Sequence, residues 1–250
     1  MIKWILYVLM GGGAGVLINY LADVLPQTRK FSRPVCQKCE HPYTARNYLI
    51  SFRCKNCGKG PSVRSILVLV ISILCSVLLG MFPLSTLDYW TTLPIIVFLG
   101  LIIVIDIEHH AILIETSIFG IVLFFIYGWL LQGVLFTLIG GVAGFLIMFL
   151  IYLFGLVFSK GLGKIRKREV GEEGMGFGDV YAGAFLGLFT GWPYVIGMII
   201  IAILASGIFS FIYILIKSFR KDYQLASTIP YAPFLILGAI AVNYIPPLPL

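Results

Sequence analysis

Two short stretches decide the architecture of this chain: Ile102–His110, which reads IIVIDIEHH, and Gly174–Gly183, which reads GMGFGDVYAG. Each stretch places an aspartate, Asp106 or Asp179, at one end of a strongly apolar run. A charged side chain is costly within a membrane, so an aspartate at the end of an apolar helix indicates a functional site. The pair therefore predicts membrane helices with acid chemistry at their ends.

The composition supports a membrane protein. The chain has 250 residues, of which 60% are hydrophobic and 12% are charged, whereas a soluble domain is about 45–50% apolar and about 25% charged. The formal net charge is +7. In a membrane protein, Lys and Arg report orientation first, so this charge does not by itself indicate a nucleic-acid partner.

Apolar runs long enough to cross a bilayer, roughly 17–25 residues, recur along the whole sequence. They predict an all-α polytopic membrane protein with about eight transmembrane helices. A tight turn is expected at Thr190–Pro193, because Gly and Pro together interrupt helices. The eight predicted spans are Ile5–Leu25, Ile66–Phe82, Tyr89–Ile105, Ile112–Leu131, Val134–Phe158, Gly174–Gly191, Tyr194–Ile216 and Ile229–Ile245.

The distribution of basic residues orients these spans. Segments 26–65, 159–173 and 217–226 hold nine, five and three Lys or Arg, which is all but one of the 18 in the chain. Strict alternation of eight spans puts the three segments on one side, which the positive-inside rule makes cytoplasmic. Asp106 and Asp179 then both lie at the cytoplasmic face, where their carboxyl groups could meet.

The same pattern divides the chain into three parts. Residues 1–25 form the first transmembrane helix, residues 26–65 a cytoplasmic loop, and residues 66–250 a seven-helix membrane domain. Small residues recur at four-residue spacing in Gly11–Gly15, Gly140–Gly144 and Gly183–Gly191. This spacing lets helices pack closely in lipid, so the helix that follows Asp179 is expected to be buried among others.

The cytoplasmic loop contains two CxxC pairs. Cys36 and Cys39 are followed after 14 residues by Cys54 and Cys57, which is close to the spacing of zinc ribbons. Four thiolates form a closed, structural zinc site, and a disulfide is disfavoured on the reducing side of the membrane. We therefore predict one structural zinc, which would supply much of the folding energy of this small loop. The fifth cysteine, Cys75, is expected to be a packed apolar residue.

The Gly176-Phe177-Gly178-Asp179 motif is short, and an acidic residue is also favoured at any helix N-terminus. It gains weight from Asp106 on the same membrane side. The two carboxyl groups suggest an aspartyl protease within the membrane, in which one ionised acid activates water and one protonated acid binds the scissile carbonyl. Hydrolysis of this kind needs no metal or cofactor.

Other chemistries have less support in the sequence. Glu108, His109 and His110 are interpreted as a solvated helix end, with a role for either histidine in substrate binding as the alternative. The zinc-protease motif HExxH is absent, and no serine has a GxSxG setting.

Two other classes of protein remain open. A transporter could use membrane acids as a proton or ion relay, but it would place them near the midplane in two similar halves, and the sequence shows neither. A membrane-tethered zinc ribbon could bind nucleic acid through the basic loop. We expect no nucleic acid, because the loop aromatics are only Phe31, Tyr43, Tyr48 and Phe52.

Taken together, these motifs resemble the prepilin peptidases, the GxGD aspartyl proteases of the bacterial inner membrane. The resemblance covers nearly the whole chain and rests on these elements: Gly15, Asn19 and Pro26, the two-CxxC loop, Asp106 in IDIEHH, Asp179 in GFGD, and the late segment Ile229–Phe234. It implies cleavage of type IV prepilin or type II secretion pseudopilin leaders at the cytoplasmic face by Asp106 and Asp179.

Many proteins of this kind also N-methylate the new amino terminus with S-adenosylmethionine. Here the chain departs from the pattern at three positions where relatives commonly carry a charged residue, namely Val24, Leu69 and Tyr181. A Leu/Ile-Pro pair that usually follows the first aspartate is also absent, since residues 112–115 read ILIE. We therefore expect proteolysis to be retained and methylation to be weak or lost.

Overall fold

The computed structural model of the chain is helical, which confirms the predicted all-α class. It describes residues 2–36, 38–44, 47–48, 53–58, 60–83, 87–166, 176–219 and 230–244. Within these ranges no strand forms; a single bridge pairs Val35 with Pro42. The helices are α1 Ile2–Thr28, α2 Val63–Met81, α3 Tyr89–His109, α4 Ile114–Gln132, α5 Val134–Arg166, α6 Phe177–Thr190, α7 Tyr194–Phe219 and α8 Ala232–Asn243.

Six of these helices are long and apolar enough to cross a bilayer, and two are shorter. Helices α6 and α8 have 14 and 12 residues. At about 1.5 Å per residue they extend only about 20 Å, less than the ~30 Å hydrocarbon core. The predicted sixth and eighth spans are thus apolar helices, as expected, but not full-length ones.

The helix ends explain part of this difference. The turn expected at Thr190–Pro193 is confirmed: α6 ends at Thr190 and α7 begins at Tyr194. Gly191, between them, has a φ of +69°, a conformation that glycine adopts without strain. The predicted starts at Gly174 and Ile229, the predicted end at Ile245, and the loop residue Phe52 lie outside the described residues.

The chain forms two compact units, Met1–Ile105 and Asp106–Leu250, whose boundary falls within α3. In the first unit, the predicted small-residue contact is present. A Cβ on Gly11 would lie 2.7 Å from Cα of Ile73, and a Cβ on Gly15 would lie 3.0 Å from Cα of Leu69. The glycines therefore let α1 approach the backbone of α2, as close packing in lipid requires. The three-part division at residues 25 and 65 stays a prediction.

In the second unit, α6 is the central helix. A Cβ on Gly144 of α5 would overlap the carbonyl oxygen of Gly183, and a Cβ on Gly187 would overlap that of Gly140. Most α6 side chains are buried, including Phe185, with a relative exposure of 0%. The expected burial of the helix that carries Asp179 is confirmed, and this packing fixes its first turn in place.

Candidate active site

Asp106 lies in the last turn of α3 and is buried, with a relative exposure of 4%. The helix stops shortly after it because His110 adopts a φ of +48°. The N–H of His110 donates to the carbonyl oxygen of Asp106 at 2.9 Å, which closes this turn. The sequence thus places one acid at a helix end whose backbone is held by a local hydrogen bond.

A second element holds the side chain of Asp106. The backbone N–H of Ala232, the first residue of α8, donates to Oδ2 of Asp106 at 3.1 Å. The first N–H groups of a helix have no partner within the helix, so they are free to bind an acceptor. Pro233, the next residue, has no N–H to offer and is well suited to a helix start. The α8 terminus therefore directs a hydrogen-bond donor at the carboxyl group.

Asp179 lies in the first turn of α6 and is also buried, with a relative exposure of 8%. Its N–H donates to the carbonyl oxygen of Gly176, the N-cap, at 3.1 Å. An acidic side chain in the first turn is favoured by the positive end of the helix dipole, and the backbone bond to Gly176 fixes the start of the turn that carries it.

Gly178, which precedes Asp179, must be a glycine because another segment of the chain packs closely against it. A Cβ on Gly178 would lie 2.9 Å from Cβ of Ile112 and 3.1 Å from its backbone nitrogen. Ile112 belongs to the short segment that follows α3. The glycine of the Gly176–Asp179 motif therefore lets the start of α6 pack directly against the segment just after Asp106.

The structure brings the two aspartates together in the second unit. Their carboxyl groups are close enough to repel one another electrostatically, and Tyr231, the residue before α8, also lies within electrostatic range of Asp179. Glu108, His109 and His110 are exposed at the end of α3, and His110 is near enough to interact with Asp106. Two buried acids thus lie within electrostatic range of each other, each beside a helix terminus.

The four loop cysteines are also brought together. Sγ of Cys36 lies 3.6 Å from that of Cys57, and Sγ of Cys39 lies 3.6 Å from that of Cys54. All four atoms lie within 4.8 Å of one another. Tetrahedral zinc with bonds of about 2.3 Å would separate its sulfur ligands by about 3.8 Å, so the cluster fits one ion.

The backbone around each CxxC pair has the same form. The N–H of Glu40 donates to the carbonyl oxygen of Cys36 at 2.8 Å, and the N–H of Gly58 donates to that of Cys54 at 3.0 Å. Glu40 and Gly58 both adopt positive φ, +54° and +67°.

Backbone N–H groups of the same turns shift the pKa values of the thiols. The backbone N–H of Lys38 is the main cause that lowers the pKa of Cys36 to about 6, and that of Cys57 lowers the pKa of Cys54. At these two thiols, hydrogen bonds favour the thiolate, the form that binds metal. At Cys39, despite a hydrogen bond from the His41 backbone, burial and the neighbouring thiols raise the pKa to about 11. The fifth cysteine, Cys75, lies apart from this cluster on α2.

Comparison with known proteins shows which family the chain is similar to. The family model described as "Type IV leader peptidase family" matches residues 93–211. Over this segment, which is just under half of its length, the chain is similar to the type IV leader peptidase family. The matched segment contains both Asp106 and Asp179. The resemblance stated from the motifs is therefore confirmed, and the chain is a peptidase of the membrane.

Three curated relatives are similar to the chain, and each is named prepilin leader peptidase/N-methyltransferase. The protein of Aeromonas hydrophila is 28% identical over 240 residues, which are 88% of this chain and 74% of the relative. That of Aeromonas salmonicida is 27% identical over 230 residues, 84% and 70% of the two chains. That of Pectobacterium carotovorum subsp. carotovorum is 24% identical over 223 residues, 82% and 71%. No solved structure matches the chain.

Sequence reasoning did not assign a role to the segment before α8. The motif Ile229–Phe234 entered only as part of the resemblance, yet the structure directs its Ala232 N–H at Asp106. The available signal was the Tyr-Ala-Pro run at the start of an apolar stretch, which is typical of a helix N-terminus. Nothing in the sequence indicated that this terminus would lie beside an aspartate 126 residues earlier.

Proposed function

We propose that this chain is a membrane aspartyl endopeptidase that removes the leader peptide of type IV prepilins or pseudopilins, with Asp106 and Asp179 as the catalytic pair. The observation that carries the proposal is the juxtaposition of the two buried acids inside the family segment. The names of the relatives support the substrate class.

The proposed mechanism uses the two carboxyl groups as a unit. Two like charges in one buried site favour a state in which the pair shares a single proton. The ionised acid removes a proton from water, whose oxygen attacks the scissile carbonyl carbon, while the protonated acid donates a hydrogen bond to the carbonyl oxygen. Collapse of the tetrahedral intermediate breaks the C–N bond and transfers a proton to the leaving amine. The pair titrates together, so neither acid is assigned one fixed role.

The positive-inside distribution of Lys and Arg supports placing this reaction at the cytoplasmic face of the bacterial inner membrane. The four-cysteine cluster lies in one of the basic loops and supports a structural zinc held by Cys36, Cys39, Cys54 and Cys57. Zinc there would fold the loop and take no part in hydrolysis, because all four ligand positions are filled by protein.

The methyl-transfer activity in the names of the relatives finds less support in this chain. Val24 is buried, with a relative exposure of 2%, and Leu69 lies where Gly15 of α1 approaches the backbone of α2. The ring of Tyr181 packs edge-on against Phe177 with centroids 5.1 Å apart. These three positions serve apolar packing, so they offer no charged partner for S-adenosylmethionine. We therefore assign no methyl-transfer step to the chain.

The test is cleavage of a purified prepilin by the purified chain in detergent or nanodiscs, followed by sequencing of the product terminus. Wild-type protein should release the leader at one bond, and an Asp106→Asn/Asp179→Asn double variant should not. Release of the leader by the double variant would remove the pair from the reaction, and no cleavage by either protein would contradict the proposed substrate class.

A further inference from the structure

The first compact unit contains a groove that the proposed reaction does not use. The groove encloses about 780 Å³ and is lined by α1 residues, including Gly13, Val16 and Leu17, together with loop residues that include Ser32 and Arg33. Its volume lies in the range of pockets that bind small molecules, roughly 300–1,000 Å³. Most of its wall is apolar, and its charged side chain, Arg33, comes from the loop after α1, so its occupant should be amphipathic.

The apolar end lies on α1, inside the first span that the sequence predicts. Leu17 is eight residues before Leu25, where the sequence predicts that the first span ends, which is about 12 Å of helix at 1.5 Å per residue. Its side chain is 46% exposed. From Gly13 to Tyr20 the groove follows α1 for about 10 Å. An acyl chain of the surrounding bilayer is the apolar group available at this depth.

The polar end is cationic. Arg33 is the charged residue among those that line it. Residues 23–40 contain four Lys or Arg against two acids, Asp23 and Glu40. The planar guanidinium of arginine matches phosphate geometry, and basic residues on the cytoplasmic side of a span favour anionic lipid headgroups.

The wall between the two ends is built from tyrosines. The hydroxyl of Tyr20 donates to the carbonyl oxygen of Ser32 at 2.9 Å, which ties the segment before Arg33 to α1. The Tyr48 ring packs edge-on against Tyr20 and Tyr43, with centroids 6.3 and 5.6 Å away. These contacts hold the groove open before a ligand arrives, which lowers the entropic cost of binding.

We propose that this groove binds one anionic phospholipid of the bilayer, with its phosphate at Arg33 and an acyl chain along Gly13–Leu17. The occupant is a lipid because the groove joins the predicted first span to a loop that contributes Arg33. The site belongs to the unit that precedes Asp106, and it does not depend on the protease reaction.

Native mass spectrometry of the delipidated protein tests the proposal, with phosphatidylglycerol and phosphatidylcholine as probes. The wild-type protein should retain one phosphatidylglycerol more tightly than phosphatidylcholine. Arg33→Ala should weaken phosphatidylglycerol binding about five-fold, since one basic residue near a lipid surface contributes about 1 kcal/mol. Lys30→Ala is the matched control: it removes the same charge three residues away, from a side chain that does not line the groove.

A second measurement locates the lipid. In a background with the four natural tryptophans replaced by Phe, Leu17→Trp places a fluorophore in the groove, and Leu9→Trp places one on exposed α1 surface. Brominated phosphatidylglycerol should quench the Leu17→Trp protein more than brominated phosphatidylcholine does, and Leu9→Trp should show no such preference. Equal losses in Arg33→Ala and Lys30→Ala, no headgroup preference, or no quenching at position 17 would each overturn the proposal; the last would indicate another occupant, such as a peptide.

Discussion

The backbone N–H of Ala232 donates a hydrogen bond to Oδ2 of Asp106 at 3.1 Å, although the two residues are 126 positions apart. The bond joins the first residue of α8 to the last turn of α3. Both groups are buried, and a buried acceptor that loses its donor costs about 1–3 kcal/mol. The contact therefore positions Asp106 and favours a fixed orientation of its carboxyl group.

The first prediction concerns the acid pair. Asp106→Asn and Asp179→Asn should each lower leader cleavage by at least about a thousand-fold, because members of a catalytic unit fail individually as well as together. Asparagine keeps the size of the side chain but cannot activate water. Cleavage of a prepilin by each purified variant, at matched membrane insertion, is the measurement.

The control for this prediction is Glu108→Gln, which removes a negative charge two residues after Asp106 from an exposed position. It should retain most of the wild-type rate. If either aspartate variant cleaves as well as this control does, that aspartate is not part of the pair.

The sequence predicts where the helices lie, but it does not predict the lengths of all of them. Long apolar runs such as Val134–Phe158 identify helices directly, because a spanning segment must satisfy its own backbone. Hydropathy does not predict the shortness of α6 and α8, since the predicted sixth span extends from Gly174 to Gly191 whereas α6 extends from Phe177 to Thr190. Local hydropathy does not report where a helix starts.

The candidate site, too, is only partly predictable from the sequence. Asp106 and Asp179 were identified because a charge in an apolar run is conspicuous, and the cysteines because their spacing is characteristic. The contact of Ala232 with Asp106 could not be predicted: its donor is a backbone group that every residue except proline carries. Only the tertiary fold decides which helix terminus meets which acid.

The second prediction concerns the four-cysteine cluster. The purified protein should contain about one zinc per chain, the number that a closed four-cysteine site binds. A Cys36→Ser/Cys39→Ser double variant should lose it, because two thiolates cannot complete a tetrahedral site. Elemental analysis of metal and protein in the same sample is the measurement. Cys75→Ser removes a thiol outside the cluster and should keep full zinc, whereas full occupancy in the double variant would refute the site.

The third prediction concerns the packing of α5 on α6. Gly144→Ala should destabilise the second unit by about 1–3 kcal/mol, because its methyl group would overlap the backbone of Gly183 and overpacking has a cost of this size. The measurement is the melting temperature in detergent.

Gly155→Ala is the matched control on the same helix, since a Cβ there would meet no atom within 4 Å. It should melt at or slightly above the wild-type temperature. Equal stability of the two variants would show that the close α5–α6 contact is not needed.

The fourth prediction concerns the hydroxyl of Tyr48, which donates to Oδ2 of Asp23 at 2.6 Å. Arg64 forms an ion pair with the same carboxylate. Tyr48→Phe keeps the ring contacts and removes only this bond, so it should loosen the attachment of the loop to α1 by about 1 kcal/mol. Faster zinc release to a chelator, or faster proteolysis between residues 29 and 62, would report the change.

The pH dependence of this attachment has a defined sign. Burial, followed by the bond to Asp23, raises the pKa of Tyr48 above its usual value near 10. A raised pKa contributes stability that is complete below the unfolded value and is lost as the pH rises through the folded one. The titration of Tyr48 should therefore not change the rate of zinc release from wild-type protein up to about pH 10. Above that pH, the rate should increase. The same acceleration in Tyr48→Phe would show that other groups cause it.

The fifth prediction is that the chain processes prepilins without methylating them efficiently. Val24, Leu69 and Tyr181 occupy apolar packing positions where the resemblance leads us to expect charged residues. A charged methyl donor needs polar partners, because burying a charge without them is costly. Mass spectrometry of prepilin incubated with the chain and S-adenosylmethionine should find the cleaved terminus with no added methyl mass in most molecules.

A curated relative that carries both activities in its name, such as the Aeromonas hydrophila protein, provides the positive control, because it should add the methyl group under the same conditions. Binding of the donor should be measured separately, by equilibrium dialysis with labelled S-adenosylmethionine. If the chain binds the donor and methylates most of the product, then other residues supply the polar contacts. The three apolar positions would in that case serve packing alone and carry no information about methyl transfer.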